Sequence, residues 1–352
     1  MGNQRNKFGK PFEGYLDIRS DFFNLETNDN NVEKLKKIDE LYRQQPKRKG
    51  CKLCSTNFQD ELFRRNEIKY FICKNCGHLN GEFEDTREYC ASLYTPQDGN
   101  GEMKIYKDDD KKAYQFRTNS IYMPKAQFLH DQLTEIGLDS SKLKYIDIGS
   151  GAGHMVMAMR NIGLKNVLGY EVTTQNVNFA NSINELEVLK EHQLDEIDNV
   201  ITETDASVVT SIFMLEHVEK PLDLCRAIKK NKNIKYLLLA VPMFSIGVIL
   251  EQAFPHIRKR SLGAGHTHLF TEDSIKWICE KVDFEILTNW WFGADAFDLH
   301  RFINMHLKKD IKKSSLASTW DKMILPALNN VQQAFDKQKL SSEVHMFIKV
   351  NS

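Results

Sequence analysis

Tyr145-Ile146-Asp147-Ile148-Gly149-Ser150-Gly151-Ala152-Gly153 is the stretch whose reading decides the fold. An apolar strand runs into three glycines in five positions, and residues 154–162 continue as a helix. Such a turn lets backbone approach a ligand closely and aims the free N–H groups of the following helix at it. Outward from it, strand and helix signals alternate. A helix over 124–136 precedes the first strand, 143–148. A strand over 167–172 and a helix over 175–184 follow, then a short strand near Val188, a strand over 207–215, a helix over 221–230 and a strand over 236–241. After an irregular insertion over 243–265 come a helix over 271–281 and a strand over 284–289. Two helical stretches, 296–307 and 320–336, lead to a last strand over 343–350. The pattern predicts an α/β fold: a mostly parallel sheet of seven strands, covered on both faces.

The glycine spacing selects among nucleotide ligands. The nicotinamide fingerprint is G-x-G-x-x-G, whereas here the spacing is G-x-G-x-G, with His154 where that fingerprint has its third glycine. Asp147, two residues before Gly149, would repel a pyrophosphate and suits a ligand with a cationic or amino end. Glu171 closes the next strand, where a carboxylate can accept both hydroxyls of a ribose. Together these favour S-adenosylmethionine over a dinucleotide.

A second signal lies upstream. Cys51-x-x-Cys54 and Cys73-x-x-Cys76 are separated by 18 residues, within the range of a four-cysteine zinc site. Four thiolates complete a tetrahedron and leave no open position, so the expected zinc is structural. Cys90, Cys225 and Cys279 have no partner spacing and read as small buried hydrophobes.

Length and composition bound the remainder. At about 150 residues per domain, 352 residues suggest two domains. The 41% hydrophobic and 27% charged content excludes a disordered chain, a fibre or a small disulfide scaffold. Lysine plus arginine equals aspartate plus glutamate, 48 each, so no global field recruits nucleic acid or an anionic membrane; a local patch at Lys47, Arg48 and Lys49 is the exception to watch. No apolar run reaches the ~20 residues of a spanning helix, and the polar N-terminus has no secretory pattern, so the expected compartment is the cytosol. The predicted organisation is a polar segment with one helix over 1–50, a zinc module over 51–90, a charged connection over 91–120 and the α/β domain over 121–352.

On these residues the chain resembles the class I S-adenosylmethionine-dependent methyltransferases across 121–352. The resemblance is carried by Asp147 through Gly153, by Glu171, and by Phe213-Met214-Leu215-Glu216-His217-Val218 before Pro221. Ala240-Val241-Pro242 and Gly265-His266-Thr267-His268-Leu269-Phe270 add to it. It implies a Rossmann-like sheet whose seventh strand is antiparallel, Gly149, Ser150, Gly151, Gly153 and Phe213 facing the cofactor, Glu171 on its ribose and Asp147 near its methionine end. The acidic residue that many members place against adenine after the third strand is not evident; Glu191 and Asp195 are the candidates. With the four-cysteine module in front, the chain looks like bacterial methyltransferases of sugar and surface-polysaccharide biosynthesis. That implies a small, sugar-derived acceptor such as a nucleotide-activated sugar. The alternatives are an RNA or protein methyltransferase docking through the zinc module, and a protein that binds the cofactor without turning it over.

Methyl transfer needs an aligned nucleophile and, where that carries a proton, a base. Glu216, His217, His266 and His268 are the candidates. His266 and His268 alternate, so in an extended segment only one faces the pocket. His256, Arg258, Lys259 and Arg260 lie where phosphates of an activated sugar could enter. Trp290-Trp291-Phe292 reads as sheet core or as an aromatic wall, and Met155, Met157 and Met159 read as packing.

Overall fold

The computed structural model describes residues 4–10, 20–58, 60–94, 110–193, 196–263 and 265–351. Among them are the strands β1 (Arg5–Phe8), β2 (Phe63–Arg65), β3 (Ile68–Ile72), β4 (Leu79–Gly81), β5 (Tyr145–Ile148), β6 (Val167–Glu171), β7 (Leu189–Glu191), β8 (Val208–Ile212), β9 (Tyr236–Pro242), β10 (His268–Leu269), β11 (Phe284–Phe292) and β12 (Glu343–Val350). The large sheet runs β1-β11-β12-β9-β8-β5-β6-β7. β5 through β9 pair in parallel, and β12 slots antiparallel between β9 and β11. The mostly parallel α/β sheet and the reversed last strand agree with the sequence reading.

The strand count does not. An eighth strand, β1, pairs in parallel with β11, Arg5 opposite Thr288 through Phe8 opposite Trp291. Arg-Asn-Lys-Phe is mostly exposed, and a polar four-residue edge strand carries no alternating apolar signal to read. Its anchors are the tryptophans: Trp290 Nε1 donates to the Gly9 carbonyl at 2.7 Å and Trp291 Nε1 to Asn6 Oδ1 at 3.3 Å. The one helix expected within the 1–50 segment spans Leu25–Arg43. Asn24 caps it by accepting from the Thr27 amide at 2.9 Å, and its first two turns are polar enough to hide their helicity.

Trp290 and Trp291 point to opposite faces of the sheet, both buried. Trp290, Phe292 and Phe347 join Met155 and Met159 on one face; Trp291, Val344 and Met346 join Ile146 and Ile148 on the other. This is the sheet-core reading, and Met157 packs at its margin.

The cysteine-bearing segment is not a separate bead. Its strands β2, β3 and β4 form a small antiparallel sheet completed by β10, with His268 opposite Asn80 and Leu269 opposite Leu79. Buried Cys51, Cys73 and Cys76 share a core with Phe270 and Ile275. Strand pairing therefore runs across the boundaries expected at residues 50, 90 and 120. The insertion expected to be irregular over 243–265 contains the helix Ile246–Ala253. No helix among the described residues is long and apolar enough to cross a membrane.

Candidate active site

β5 ends at Ile148, and the amides of Gly149 and Ser150 both donate to the Tyr170 carbonyl, at 3.0 and 3.1 Å. Gly149 has φ +70°, and a Cβ there would lie 2.4 Å from Met214 Cγ. Gly151, at φ +53°, faces open space. Glu171 closes β6 and braces the turn: Oε2 accepts from the Gly151 amide at 2.7 Å and Oε1 from the Thr173 amide at 3.0 Å. Each oxygen keeps a second lone pair for a ligand hydroxyl. Asp147 Oδ1 accepts from Thr210 Oγ1 at 2.5 Å, and burial pushes its carboxyl up to about 6. Ser150 Oγ donates to the Asp147 carbonyl at 2.8 Å, pinning the turn from within.

The segment read as a charged connection covers this turn. Asp110 caps the helix Lys111–Arg117, and Tyr114 Oη donates to the Ala152 carbonyl at 3.0 Å. His154, at the first helical position after the glycines, lies between Tyr114 and Tyr122, ring centroids 4.3 and 5.2 Å away, and bonds Thr118 Oγ1 at 2.9 Å. Burial drives the His154 imidazole down to about 3, so it is neutral here. Tyr114, Thr118 and Tyr122 recur every four residues; that spacing on one helical face was the available signal.

A cavity of about 350 Å³ opens beside the turn at the carboxyl ends of β6, β7 and β8, lined by Val172, His192, Ile197, Met214 and His217 among others. Glu191 is exposed and accepts from Thr174 Oγ1 at 2.8 Å; Asp195 lies outside the described residues. The cavity wall mixes apolar side chains with two imidazoles, His192 and His217, and with charged Arg87, Asp198, Glu219, Lys220 and Asp223.

Phe213, following β8, adopts φ +56°, unusual for a bulky residue. Its ring lies 4.7 Å from Lys125 Nζ and 5.7 Å from His345. Burial lowers Lys125 to about 7, with Glu343 opposing. A lysine depressed in the folded state leaves that state with fewer bound protons than the unfolded chain between about pH 7 and 10.5, so stability rises with pH across that window. Lys125→Met is expected to raise stability near neutral pH by about 2 kcal/mol and to flatten this rise, read from thermal melts at pH 7 and pH 9.5.

Leu215–His217 form one turn after β8, and Glu216 is 1% exposed. Burial pushes its carboxyl up to about 8, and neither carboxylate oxygen has a hydrogen-bond partner among the described residues. Oε1 lies 3.6 Å from His217 Nε2 and 3.8 Å from His266 Nε2. The His217 and His266 rings stack at 5.0 Å. His266 is held by Nδ1 donating to the Ser261 carbonyl at 3.0 Å. Buried Glu251 orders that loop by accepting from the amides of Arg260, Ser261 and Leu262 at 2.7, 2.6 and 3.0 Å. His268 alternates away. Its Nε2 donates to the Glu216 carbonyl and its Nδ1 accepts from His78 Nε2, both at 2.9 Å. Of the two alternating histidines, His266 is the one that meets Glu216's carboxylate.

The expected phosphate contacts are otherwise engaged. Arg258 pairs with Asp21 at 3.0 Å and Arg260 with Asp298 at 2.9 Å, while Lys259 is buried and His256 meets His306 at 3.2 Å. The basic patch upstream is partly paired: Lys47 pairs with Glu82 at 2.9 Å, and Asp85 takes both Arg48 at 2.9 Å and the neighbouring Lys52 at 2.5 Å.

The four module cysteines converge, with Cys51 Sγ 3.5 Å from Cys76 Sγ and Cys54 Sγ 3.4 Å from Cys73 Sγ. A tetrahedral zinc with ~2.3 Å bonds sets sulfur–sulfur separations of about 3.8 Å. All four sulfurs lie within 4.8 Å of one another, and the donor set suits zinc.

Comparison with known proteins bears on the glycine-turn part of the chain. A methyltransferase-domain family model matches residues 121–289. No curated protein matches the sequence significantly. Among solved structures, a Galdieria sulphuraria protein assigned as a sarcosine dimethylglycine methyltransferase aligns at 10% identity and TM-score 0.43, over 69% of this chain and 99% of that one. Geranyl diphosphate C-methyltransferase of Streptomyces coelicolor A3(2) aligns at 15% identity and TM-score 0.40, over 74% and 88%. Magnesium protoporphyrin IX methyltransferase of Synechocystis PCC 6803 aligns at 17% identity and TM-score 0.37, over 52% and 82%. Residues 121–289, which carry the strand–glycine turn–helix and most of the Rossmann-like sheet, thus match a methyltransferase domain.

Proposed function

We propose that this enzyme methylates a small, sugar-derived acceptor, a nucleotide-activated sugar or a surface-polysaccharide precursor, in the reducing cytosol where the four thiols persist. The observation that carries the reading is the junction of two features: a cavity beside the glycine turn, and His217 on its wall with Glu216 and His266 packed beside that imidazole. A cavity of about 350 Å³ suits a metabolite better than a polymer. The balance of 48 basic against 48 acidic residues supports this over RNA docking.

S-adenosylmethionine supplies a methyl carbon already activated by its sulfonium. Asp147 offers a carboxylate toward the amino end, Gly149, Ser150, Gly151 and Gly153 supply close backbone, and Glu171 takes the ribose. Phe213 shapes the wall toward the acceptor. His217, on the cavity wall, meets the reacting group of the acceptor, and buried Glu216 and His266 beside it set the position and proton affinity of that imidazole. His268 holds the main chain of Glu216 in place. Cys51, Cys54, Cys73 and Cys76 hold a structural zinc.

Transfer of methyl label from S-adenosylmethionine into a cell extract, split into small-molecule and macromolecular fractions, tests the reading. Label in the small pool, lost from its anionic fraction on phosphatase treatment, is the expected result; label confined to nuclease- or protease-sensitive material would favour the polymer alternative. Glu216→Gln, isosteric and uncharged, is expected to lower turnover by about 10²–10⁴-fold while S-adenosylhomocysteine still binds in calorimetry.

A further inference from the structure

We propose that Glu216, His217 and His266 form a second metal site, distinct from the cysteine cluster, that takes one first-row divalent transition ion. The inference deepens the function proposed above and rests on the same three residues. Three ligand atoms, one carboxylate oxygen and two imidazole nitrogens, lie within 4.8 Å of one another. The measured edges from Glu216 Oε1, 3.6 and 3.8 Å, are within a few tenths of an ångström of the ~3.4 Å edge of a tetrahedron with bonds of about 2.1 Å.

Two observations point to an ion. Glu216 is fully buried with both oxygens unpartnered among the described residues, and an unpaired buried carboxylate is costly unless a cation joins it. The nearby cations are already committed, Lys52 to Asp85 and Arg260 to Asp298. The second is the outer ring of contacts. His266 gives its Nδ1 proton to the Ser261 carbonyl, which leaves the Nε2 lone pair directed at Glu216, the arrangement that orients metal-ligating histidines. His268 fixes the Glu216 carbonyl in turn.

The donor set selects the ion. Two imidazoles and one carboxylate suit manganese, iron, cobalt, nickel or zinc, whereas calcium and magnesium prefer oxygen. Three protein ligands leave coordination positions open, and His217, which lines the cavity, brings the ion to its edge. An acceptor oxygen, a hydroxyl or the carbonyl beside a reacting carbon, completes the coordination and is polarised there.

The test uses the full chain with zinc loaded in the cysteine cluster. Hard Mn²⁺ does not displace zinc from thiolates, so titration with Mn²⁺ followed by electron paramagnetic resonance reports the new site alone. The expected result is one bound equivalent, weakened about tenfold or more in Glu216→Gln and in the milder His266→Gln, with zinc content unchanged. Absence of binding by the wild-type chain to both Mn²⁺ and Co²⁺, or equal binding by folded variants, overturns the proposal. Calorimetry with S-adenosylhomocysteine on the same samples separates the two readings: cofactor binding without metal binding sinks only this one, and metal binding without cofactor binding sinks the methyltransferase site.

Discussion

Gly149→Val is expected to weaken S-adenosylhomocysteine binding by about 100-fold or more, measured by calorimetry. Two costs combine. A β-branched residue at φ +70° sits in the left-handed region, at roughly 1–3 kcal/mol. Its Cβ would also sit 2.4 Å from Met214 Cγ and 2.8 Å from Met214 Cβ, so either the turn or Met214 must move. Met214 lines the cavity and the turn delivers the Gly151 amide to Glu171, so both escapes deform the proposed cofactor pocket. Gly137 is the control. It has φ +82° but nothing within 4 Å of a built Cβ, and Gly137→Ala is expected to cost stability through its backbone alone while cofactor affinity is kept. Equal losses of affinity in both variants, or none in either, would remove Gly149 from the cofactor site.

The difference between these two glycines shows what the sequence can and cannot carry. Gly149 was legible because three glycines follow a buried strand, and the periods of the sheet and its helices came with it. β12 was legible as an apolar strand arriving after a helical excursion, and its antiparallel direction was what the family resemblance implied. β1 was not: a polar edge strand is defined by what lies beside it, here the indole N–H groups of Trp290 and Trp291. The catalytic candidates divide the same way. Glu216-His217 and His266-x-His268 stand out as residue types, but which histidine meets the carboxylate depends on β10 pairing with β4, a contact between segments nearly 190 residues apart. The cover supplied by Tyr114 and Tyr122 was missed because the charged residues around it dominated the reading of 91–120.

That long-range pairing gives the second large effect, the dependence of the active site on the cysteine cluster. Removing zinc with a chelator under reducing conditions, or replacing Cys73 with serine, is expected to lower the melting temperature by about 10 °C or more, since a structural zinc contributes several kcal/mol to folding. The loss is expected to reach the chemistry by a defined route. The knuckle Cys73–Cys76 fixes Gly77 and His78, with the Gly77 amide donating to the Cys73 carbonyl at 2.7 Å and the Cys73 amide to the His78 carbonyl at 2.9 Å. His78 donates to His268, and His268 to the Glu216 carbonyl, so loosening the knuckle frees the turn that holds the carboxylate. Much of the glycine turn's helix packs on the opposite face of the large sheet, with Met155 and Met159, and is braced by Glu171 rather than by the module. Below the lowered melting temperature, methyl transfer is therefore expected to fall far more than S-adenosylhomocysteine affinity. His78→Ala isolates the route: zinc stays bound by mass spectrometry, affinity holds, and turnover drops. If His78→Ala turned over normally while Cys73→Ser did not, the module would act through global stability alone, and the His78–His268–Glu216 chain would have no part in catalysis.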